Sequence, residues 1–325
     1  MLALFFSAPV RFDESQLIEV FMDTSAFSSC SSAPASSSGS ELHRALIVDS
    51  SPEINQLLTT LFDQADWSIH FVADNREALR AAQANAHDLI ITSECTSAKT
   101  DIELLRQLRM VRPHTRLIIL TDEFIPGDIL AAIRERAFSY FARPFSTEKL
   151  AEMIRIAMNE PHWDEGIEVI SATPNWVRLS VRCDVLTANR LIQFYREIGD
   201  LPDAEKEEVA CAFREILLNA MEHGGNFDPS QYVEIGYVRT QRIVMCRVKD
   251  PGKGFSLDEI KHSAIANPPD EPFLHMAERE SKGIRPGGFG ILMAKKLVDE
   301  LLYNEQGNEV LLVKHLDAPP EQPAA

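Results

Sequence analysis

The sequence predicts an α/β protein of two domains, the first of them a doubly wound parallel sheet. Three observations predict it. A chain of 325 residues fits two domains of about 100–200 residues each better than one. Across residues 44–158, short apolar runs alternate with stretches of helical spacing, as in a parallel sheet covered by helices on both faces. Beyond residues 160–165 (EPHWDE) the texture changes to alternating strand patterns, two amphipathic helices and two glycine clusters. Hydrophobic residues make up 45% and charged residues 25%, an ordinary composition for a folded soluble chain.

The elements follow in order. Met1–Val10 (MLALFFSAPV) is apolar, but no basic residue precedes it, and Arg11, Asp13 and Glu14 come after. It reads as no secretion signal, which leaves a mobile tail or a start assigned too early. Residues 25–40 hold nine serines in sixteen positions, too little apolar surface to repay ordering. Residues 1–40 are therefore expected to be a disordered tail, with globular structure beginning near Glu41. Arg44–Val48 is a buried strand leading to Asp49, and Glu53–Phe62 is a helix through Ile54, Leu57, Leu58, Leu61 and Phe62. Trp67–Val72 adds a strand. Asp88–Thr92, Arg116–Thr121 and Ser139–Ala142 are further strands, followed by helices at Ile102–Val111, Gly127–Ala137 and Thr147–Met158 respectively.

In the second half, Gly166–Ala172 and Trp176–Arg182 read as strands and Leu186–Ile198 as an amphipathic helix. Pro202 and Asp203 open another helix, reaching His223. Val209, Phe213, Ile216, Leu217 and Ala220 share one of its faces, and Glu215, Asn219 and Glu222 line up on the opposite one. Such a row is an ordinary solvated face on most helices, although Asn is a poor interior helix former. Ile243–Val248 is a strand that runs into Asp250-Pro251-Gly252-Lys253-Gly254-Phe255. Two glycines just after a strand let backbone approach a flat ligand, and an Asp there can accept from an exocyclic amine; alone, the segment is an ordinary turn. A polar stretch then ends in Arg285-Pro286-Gly287-Gly288-Phe289-Gly290, ahead of a helix at Ile291–Leu302. Glycines feeding a helix start suit a phosphate, because free N–H groups and the helix dipole point at it.

Charge and cysteine usage exclude several classes. A net charge of −17 disfavours nucleic acid as a partner, since phosphate affinity needs an extended basic surface. The acidity is spread over all three regions, which leaves room for a local site that takes one small anion. No helix-turn-helix with a basic face follows the first domain, so a DNA-binding regulator lacks support. No apolar run reaches about 18 residues, so no membrane span or membrane partner is expected. The five cysteines (Cys30, Cys95, Cys183, Cys211, Cys246) form no CxxC pair, which points to a reducing, cytoplasmic setting and against a zinc site or disulfide frame.

The first domain resembles the response-regulator receiver domain, through LIVDSSPEI, DLIIT followed by ELLRQLR, LIILTD, and YFARPF before a helix. The resemblance implies a flavodoxin-like fold. It also implies an acceptor Asp at the end of the third strand, an acidic pair holding Mg²⁺, and a Lys on the fifth strand. Here Asp49 keeps one acid, but Ser50 stands at its partner's position, Ser93 at the acceptor's and Arg143 at the Lys; Thr121 matches the switch hydroxyl. Glu94 supplies a second carboxylate only if the register shifts by one. One carboxylate is a weak claim on Mg²⁺. The domain is therefore expected to be a pseudo-receiver that performs no aspartyl phosphorylation and serves protein contact, homodimerisation included.

Glu215-x-x-x-Asn219-Ala220, Asp250-x-Gly252-x-Gly254-Phe255 and Gly287-Gly288-Phe289-Gly290 together resemble the N box and two glycine boxes of the ATP-binding fold shared by gyrase, the ninety-kilodalton chaperone, histidine kinases and the mismatch-repair protein MutL. This implies an α/β sandwich of the Bergerat type. VISATPNWVRLSVR, EILLNAMEHG and GGFGILMAKKLVDEL are most similar to the anti-sigma-factor serine/threonine kinases, and residues 163–203 contain no His to serve as a histidine-kinase phosphoacceptor. The resemblance implies roles. Glu215 would be the general base, Asn219 the Mg²⁺ ligand and Asp250 the adenine contact. Gly252 and Gly254 would leave space for the base, and Gly287, Gly288 and Gly290 would form the phosphate loop. Lys282 and Arg285 would neutralise phosphate charge or belong to a solvated lid. His223 follows the N box, where a structural role is expected. Asn308 stands where many members carry a Thr near the adenine.

The expected arrangement is a tail at 1–40, a pseudo-receiver at 41–160, an ATPase domain at 165–317 and a tail at 318–325. The expected activity is Mg²⁺·ATP-dependent phosphorylation of a serine or threonine on an anti-anti-sigma-type protein. The alternative is a non-catalytic ATP-binding switch that sequesters a sigma factor or another regulator.

Overall fold

The computed structural model describes residues 42–62, 65–93, 95–159, 166–173, 175–198, 201–255, 263–264, 267, 274–281 and 288–316. The expected tails, Cys30 and Glu94 lie outside the described residues, as do Lys282, Arg285 and Gly287 of the site.

Strands β1 (His43–Val48), β2 (Trp67–Val72), β3 (Leu89–Thr92), β4 (Arg116–Thr121) and β5 (Ser139–Ala142) form one parallel sheet in the order β2-β1-β3-β4-β5. Between and after them come α1 (Pro52–Leu61), α2 (Asn75–Ala84), α3 (Ala98–Val111), α4 (Pro126–Arg134) and α5 (Thr147–Asn159). Strand alternation sends neighbouring residues to opposite faces. Ala45 and Ile47 therefore join a core with Leu58 of α1 and Leu150 and Ile154 of α5. Leu46 and Val48 join another with Ala78 of α2, Leu105 of α3 and Ile129 of α4. The sheet is doubly wound, as expected.

Local chemistry sets the helix ends. Asp74 caps α2 by accepting from Glu77 N at 2.8 Å, and Ser97 caps α3 by accepting from Thr100 N at 3.4 Å. The Ser97 cap starts α3 four residues before the expected Ile102. The helix expected to reach Ala137 stops at Arg134, because Arg136 adopts a left-handed φ of 66°.

The second sheet is antiparallel and six-stranded, in the order β10-β11-β9-β8-β7-β6. Its strands are β6 (Ile167–Thr173), β7 (Trp176–Arg182), β8 (Tyr232–Arg239), β9 (Ile243–Lys249), β10 (Glu300–Tyr303) and β11 (Glu309–His315). Val177, Leu179 and Val181 of β7, and Val244, Cys246 and Val248 of β9, are buried in a core that includes Leu191 and Phe194 of α6 (Val185–Ile198), Phe213 and Leu217 of α7 (Asp203–Asn219), and Ala294 of α9 (Gly290–Leu297). Helix α8 (Leu274–Ser281) precedes α9. The same apolar cluster runs on into Leu46, Ile90 and Ile119 of the parallel sheet, so one core is continuous between the two halves.

Two expected helices end differently. The helix expected to reach His223 is α-helical only to Asn219. Ala220–Gly224 form a π turn, in which Gly225 N reaches back five residues to Ala220 O at 3.1 Å. The helix expected over Ile291–Leu302 stops at Leu297. Val298 turns extended, Asp299 N donates to Val313 O at 3.0 Å, and Glu300–Tyr303 pair with β11.

Candidate nucleotide site

Helix α7 presents its apolar row inward as expected: Val209, Phe213, Ile216, Leu217 and Ala220 are all buried. Glu215 and Asn219, four residues apart, share the other side and are half-buried. Helix α9 packs along α7 with Gly290, its first residue, against this pair. A Cβ at position 290 would stand 2.8 Å from Glu215 Oε2 and 3.4 Å from Asn219 Nδ2. With no Cβ at position 290, the α9 backbone comes against the tips of both side chains. The start of α9 thus lies at the carboxylate–carboxamide pair, where its free N–H groups favour an anion. Glu215 also pairs with its neighbour, Arg214 Nη1 lying 3.3 Å from Oε1.

The first glycine box meets the far end of the same helix. A Cβ on Gly224, the last residue of the π turn, would overlap the Asp250 side chain, and one on Gly252 would stand 2.8 Å from Gly224 Cα. The π turn gives the chain after Asn219 its course to Asp250. Gly252 N donates to Asp250 Oδ1 at 2.7 Å, which leaves the second carboxylate oxygen for another donor. Burial pushes the Asp250 carboxyl above the usual carboxylate range. Gly254 sits at φ 77°, its Cα against Gln306 O, and Gly307 sits at φ 77° against Phe255. These two left-handed glycines interlock the box with the β10–β11 turn.

Asn308 belongs to that interlock. Its backbone O accepts from Asp250 N at 3.0 Å, its Nδ2 donates to Gly252 O at 3.4 Å, and its Oδ1 accepts from Asn304 Nδ2 at 2.9 Å. The side chain holds the glycine loop. Asn304, which the sequence did not single out, organises the turn, its Oδ1 accepting from the N–H groups of Gly307, Asn308 and Glu309. An Asn in a polar turn is the one sequence signal of that role.

The second glycine box is anchored from the segment before it. Gly288 has φ 94°, and its carbonyl accepts from Ala264 N at 2.9 Å and Ser263 Oγ at 3.2 Å. His275 of α8 is fully buried edge-on against Phe289, with ring centroids 4.5 Å apart. Asn267 grips His275 from both ends, accepting from its N–H at 2.9 Å and meeting its Nδ1 at 2.6 Å. Nothing in the sequence marked Asn267 or His275. His223 is exposed on the π turn.

The residues fit a magnesium nucleotide. Gly252 packs on Asp250 and Gly224 and Gly290 on Glu215, the start of α9 lies at Glu215 and Asn219, and the Asn219 carboxamide supplies a hard oxygen beside Glu215. Among the described residues no group of three His, Cys, Asp or Glu side chains is placed to hold a metal alone.

In the first domain, Asp49, Ser93, Thr121 and Arg143 all lie at the C-terminal ends of the parallel strands. Ser93 is fully buried, its hydroxyl accepting from Cys95 N at 3.4 Å. Asp49 Oδ1 accepts from Ser51 N and from the Cys95 thiol, the latter at 3.1 Å, so a cysteine the sequence reading left unassigned faces the one retained acid. Arg143 pairs with Asp122 at 3.4 Å and lies over the Phe145 ring. Thr121 Oγ1 accepts from Glu123 N at 3.2 Å.

A flavodoxin-like parallel sheet thus precedes an α/β sandwich of the ATP-binding type. Residues 45–155 match the response regulator receiver domain family, and residues 182–314 match the histidine kinase-like ATPase domain family. The chain joins one domain of each family. The serine-protein kinase RsbW of Oceanobacillus iheyensis is 26% identical over 148 residues, 45% of this chain and 84% of that protein. The transcriptional regulatory protein TcrA of Mycobacterium tuberculosis is 25% identical over 112 residues, 34% of this chain and 44% of that protein. The chain thus spans less than half the length of TcrA. The structure of the chemotaxis response regulator CheY4 of Vibrio cholerae aligns at 27% identity over 36% of this chain and 99% of that chain, with a TM-score of 0.32. Among the described residues no helix is long and apolar enough to cross a membrane.

Proposed function

We propose that this chain is an ATP-dependent serine/threonine protein kinase of the anti-sigma-factor type, with residues 165–317 as its kinase domain and residues 41–160 as a degenerate receiver that controls it. The observation that carries the reading is the seating of Gly290 on both Glu215 and Asn219, with Gly252 seated on Gly224 and Asp250. One helix thereby joins a phosphate end to an adenine end. The likeness to the serine-protein kinase RsbW supports the same assignment.

Mg²⁺·ATP supplies the phosphoryl group and the neutralising charge when bound. Asp250 would accept from the adenine amino group through the oxygen not used by Gly252. Asn219 would hold the Mg²⁺ through its side-chain oxygen. Glu215 would take the proton of the attacking serine hydroxyl at Oε2. Gly288 and Gly290 would offer backbone N–H groups to the phosphates, Gly287 would complete the glycine box, and Lys282 and Arg285 would neutralise phosphate charge. Such a site works mainly by positioning and charge stabilisation. The partner would be an anti-anti-sigma-type protein, met in the cytoplasm. The pseudo-receiver would perform no aspartyl phosphorylation, since Ser93 occupies the acceptor position and Asp49 stands as a single acid.

A second reading is a non-catalytic switch that holds ATP and sequesters a sigma factor or another regulator. The Arg214–Glu215 ion pair favours it, because a carboxylate engaged with Arg214 is less free to turn toward a substrate hydroxyl. Label transfer from γ-labelled ATP to an anti-anti-sigma-type protein separates the two. Transfer by the unaltered chain and its loss in Glu215→Ala supports the kinase. ATP binding without transfer supports the switch.

A further inference from the structure

Helix α6 is buried on nearly every side. Its apolar flank faces the ATPase core, where Tyr195 stacks on Phe213 of α7 with centroids 4.2 Å apart and meets Tyr237 of β8 edge-on. Its polar flank, Arg190, Gln193 and Glu197, is no more than 4% exposed. Three polar side chains so deeply buried need partners. They find them on the receiver's edge strand. Arg190 Nε donates to Phe138 O at 3.1 Å with its guanidinium over the Phe138 ring, Gln193 Nε2 donates to Tyr140 O at 3.1 Å, and Ala142 N donates to Glu197 Oε2 at 3.2 Å.

The spacing explains the fit. Seven helical residues rise about 10 Å, and four strand residues span about 13 Å. One side of α6 can therefore reach alternate backbone groups of β5 in turn. An edge strand with open N–H and C=O groups is otherwise a site for pairing with another chain. Here the helix of the neighbouring domain takes the place of that strand.

A second arm runs from the receiver to the helix that bears the nucleotide residues. Lys149 of α5 pairs with Glu207 of α7 at 2.5 Å, and Glu207 is also held by Arg196 of α6 at 3.3 Å. Glu207 precedes Glu215 by about 12 Å along the same helix. On the receiver side, β5 ends beside its crevice: Arg143 N, the next amide after the one held by Glu197, donates to Thr121 O at 3.0 Å. Backbone and helix thus connect the ends of the parallel strands to the position of Glu215 and Asn219.

We infer that the docked receiver, gripping α6 through β5 and α7 through Lys149, holds the N-box helix in the register that seats Gly290 on Glu215 and Asn219, so that undocking lowers nucleotide affinity. The inference rests on the ATP-site reading of α7 and α9. In the docked arrangement Gly290 is seated on Glu215 and Asn219, and the inference takes that arrangement as the binding-competent one.

The test is titration of the full chain with a fluorescent ATP analogue and Mg²⁺. Lys149→Ala and Gln193→Ala are each expected to weaken binding by about fivefold or more, the lower end of usual coupling between sites. Lys149→Arg keeps the charge and is expected to retain affinity. Lys149 is partly exposed, so its removal leaves the fold standing, as circular dichroism would verify. Unchanged affinity in Lys149→Ala and Gln193→Ala, with Asn219→Ala weakened, overturns the relay alone. No binding by the unaltered chain overturns the ATP site together with the relay.

Discussion

Gly290 lies against Glu215 so closely that a methyl group there would stand 2.8 Å from Oε2. The two residues belong to different boxes, 75 positions apart in the chain, and their contact joins the proposed base to the start of α9. Gly290→Ala is expected to weaken Mg²⁺·ATP binding about tenfold or more, equivalent to ~1.4 kcal/mol. The fold should hold, because the atom met is the mobile end of the Glu215 side chain. Parallel measurement of affinity and thermal midpoint checks this. A loss of affinity that tracks a loss of fold would count against the steric account.

The interlock between the first glycine box and the β10–β11 turn depends on two left-handed glycines. Gly254→Ala and Gly307→Ala are each expected to cost about 1–3 kcal/mol from backbone strain, before the overlap with Gln306 or Phe255 is added. Asn304→Ala removes the acceptor of three backbone amides and is expected to cost ~1–3 kcal/mol. Urea unfolding midpoints of the three variants measure these costs.

Stability should fall as pH rises toward neutrality. Burial pushes the Glu197 carboxyl from 4.5 up to about 7, and burial pushes Asp101, against an Asn75 hydrogen bond, up to about 6. Both folded values lie above the unfolded ones, so in this window the folded chain keeps protons that the unfolded chain has lost. The stability these neutral carboxyls contribute is lost as pH rises from about 4.5 through about 7, at most ~3 kcal/mol for Glu197. Glu197→Gln should flatten that part of the curve and raise stability at pH 8. A pH series of denaturant titrations on both proteins would show it, and identical slopes would refute the role of Glu197.

The motifs most legible in the sequence were those whose chemistry is local. Glu215 and Asn219 are one helical turn apart, Asp250, Gly252 and Gly254 lie in one loop, and the order of the three boxes identified the domain. The parallel sheet was legible because fully buried runs such as RLIILT have few other homes. What was missed depends on partners far away in sequence. Leu186–Ile198 reads as an amphipathic helix, and periodicity alone assigns Arg190, Gln193 and Glu197 to solvent. Only the edge strand β5, some fifty residues earlier, makes that flank an interface. Glu300–Tyr303 is a short apolar run after a helix, and such runs do not declare whether they are helix or strand. The π turn at Ala220–Gly224 leaves no compositional mark, although it gives the chain its course from Asn219 to Asp250.

Calorimetric titration of Mg²⁺·ATP into the full chain and into Asn219→Ala decides whether α7 and α9 form a Mg²⁺·ATP site. Saturable one-to-one binding is expected of the unaltered chain, lowered at least about tenfold in Asn219→Ala and lowered likewise when Mg²⁺ is chelated. Absence of binding by the unaltered chain at millimolar nucleotide, or equal binding by Asn219→Ala, would contradict it.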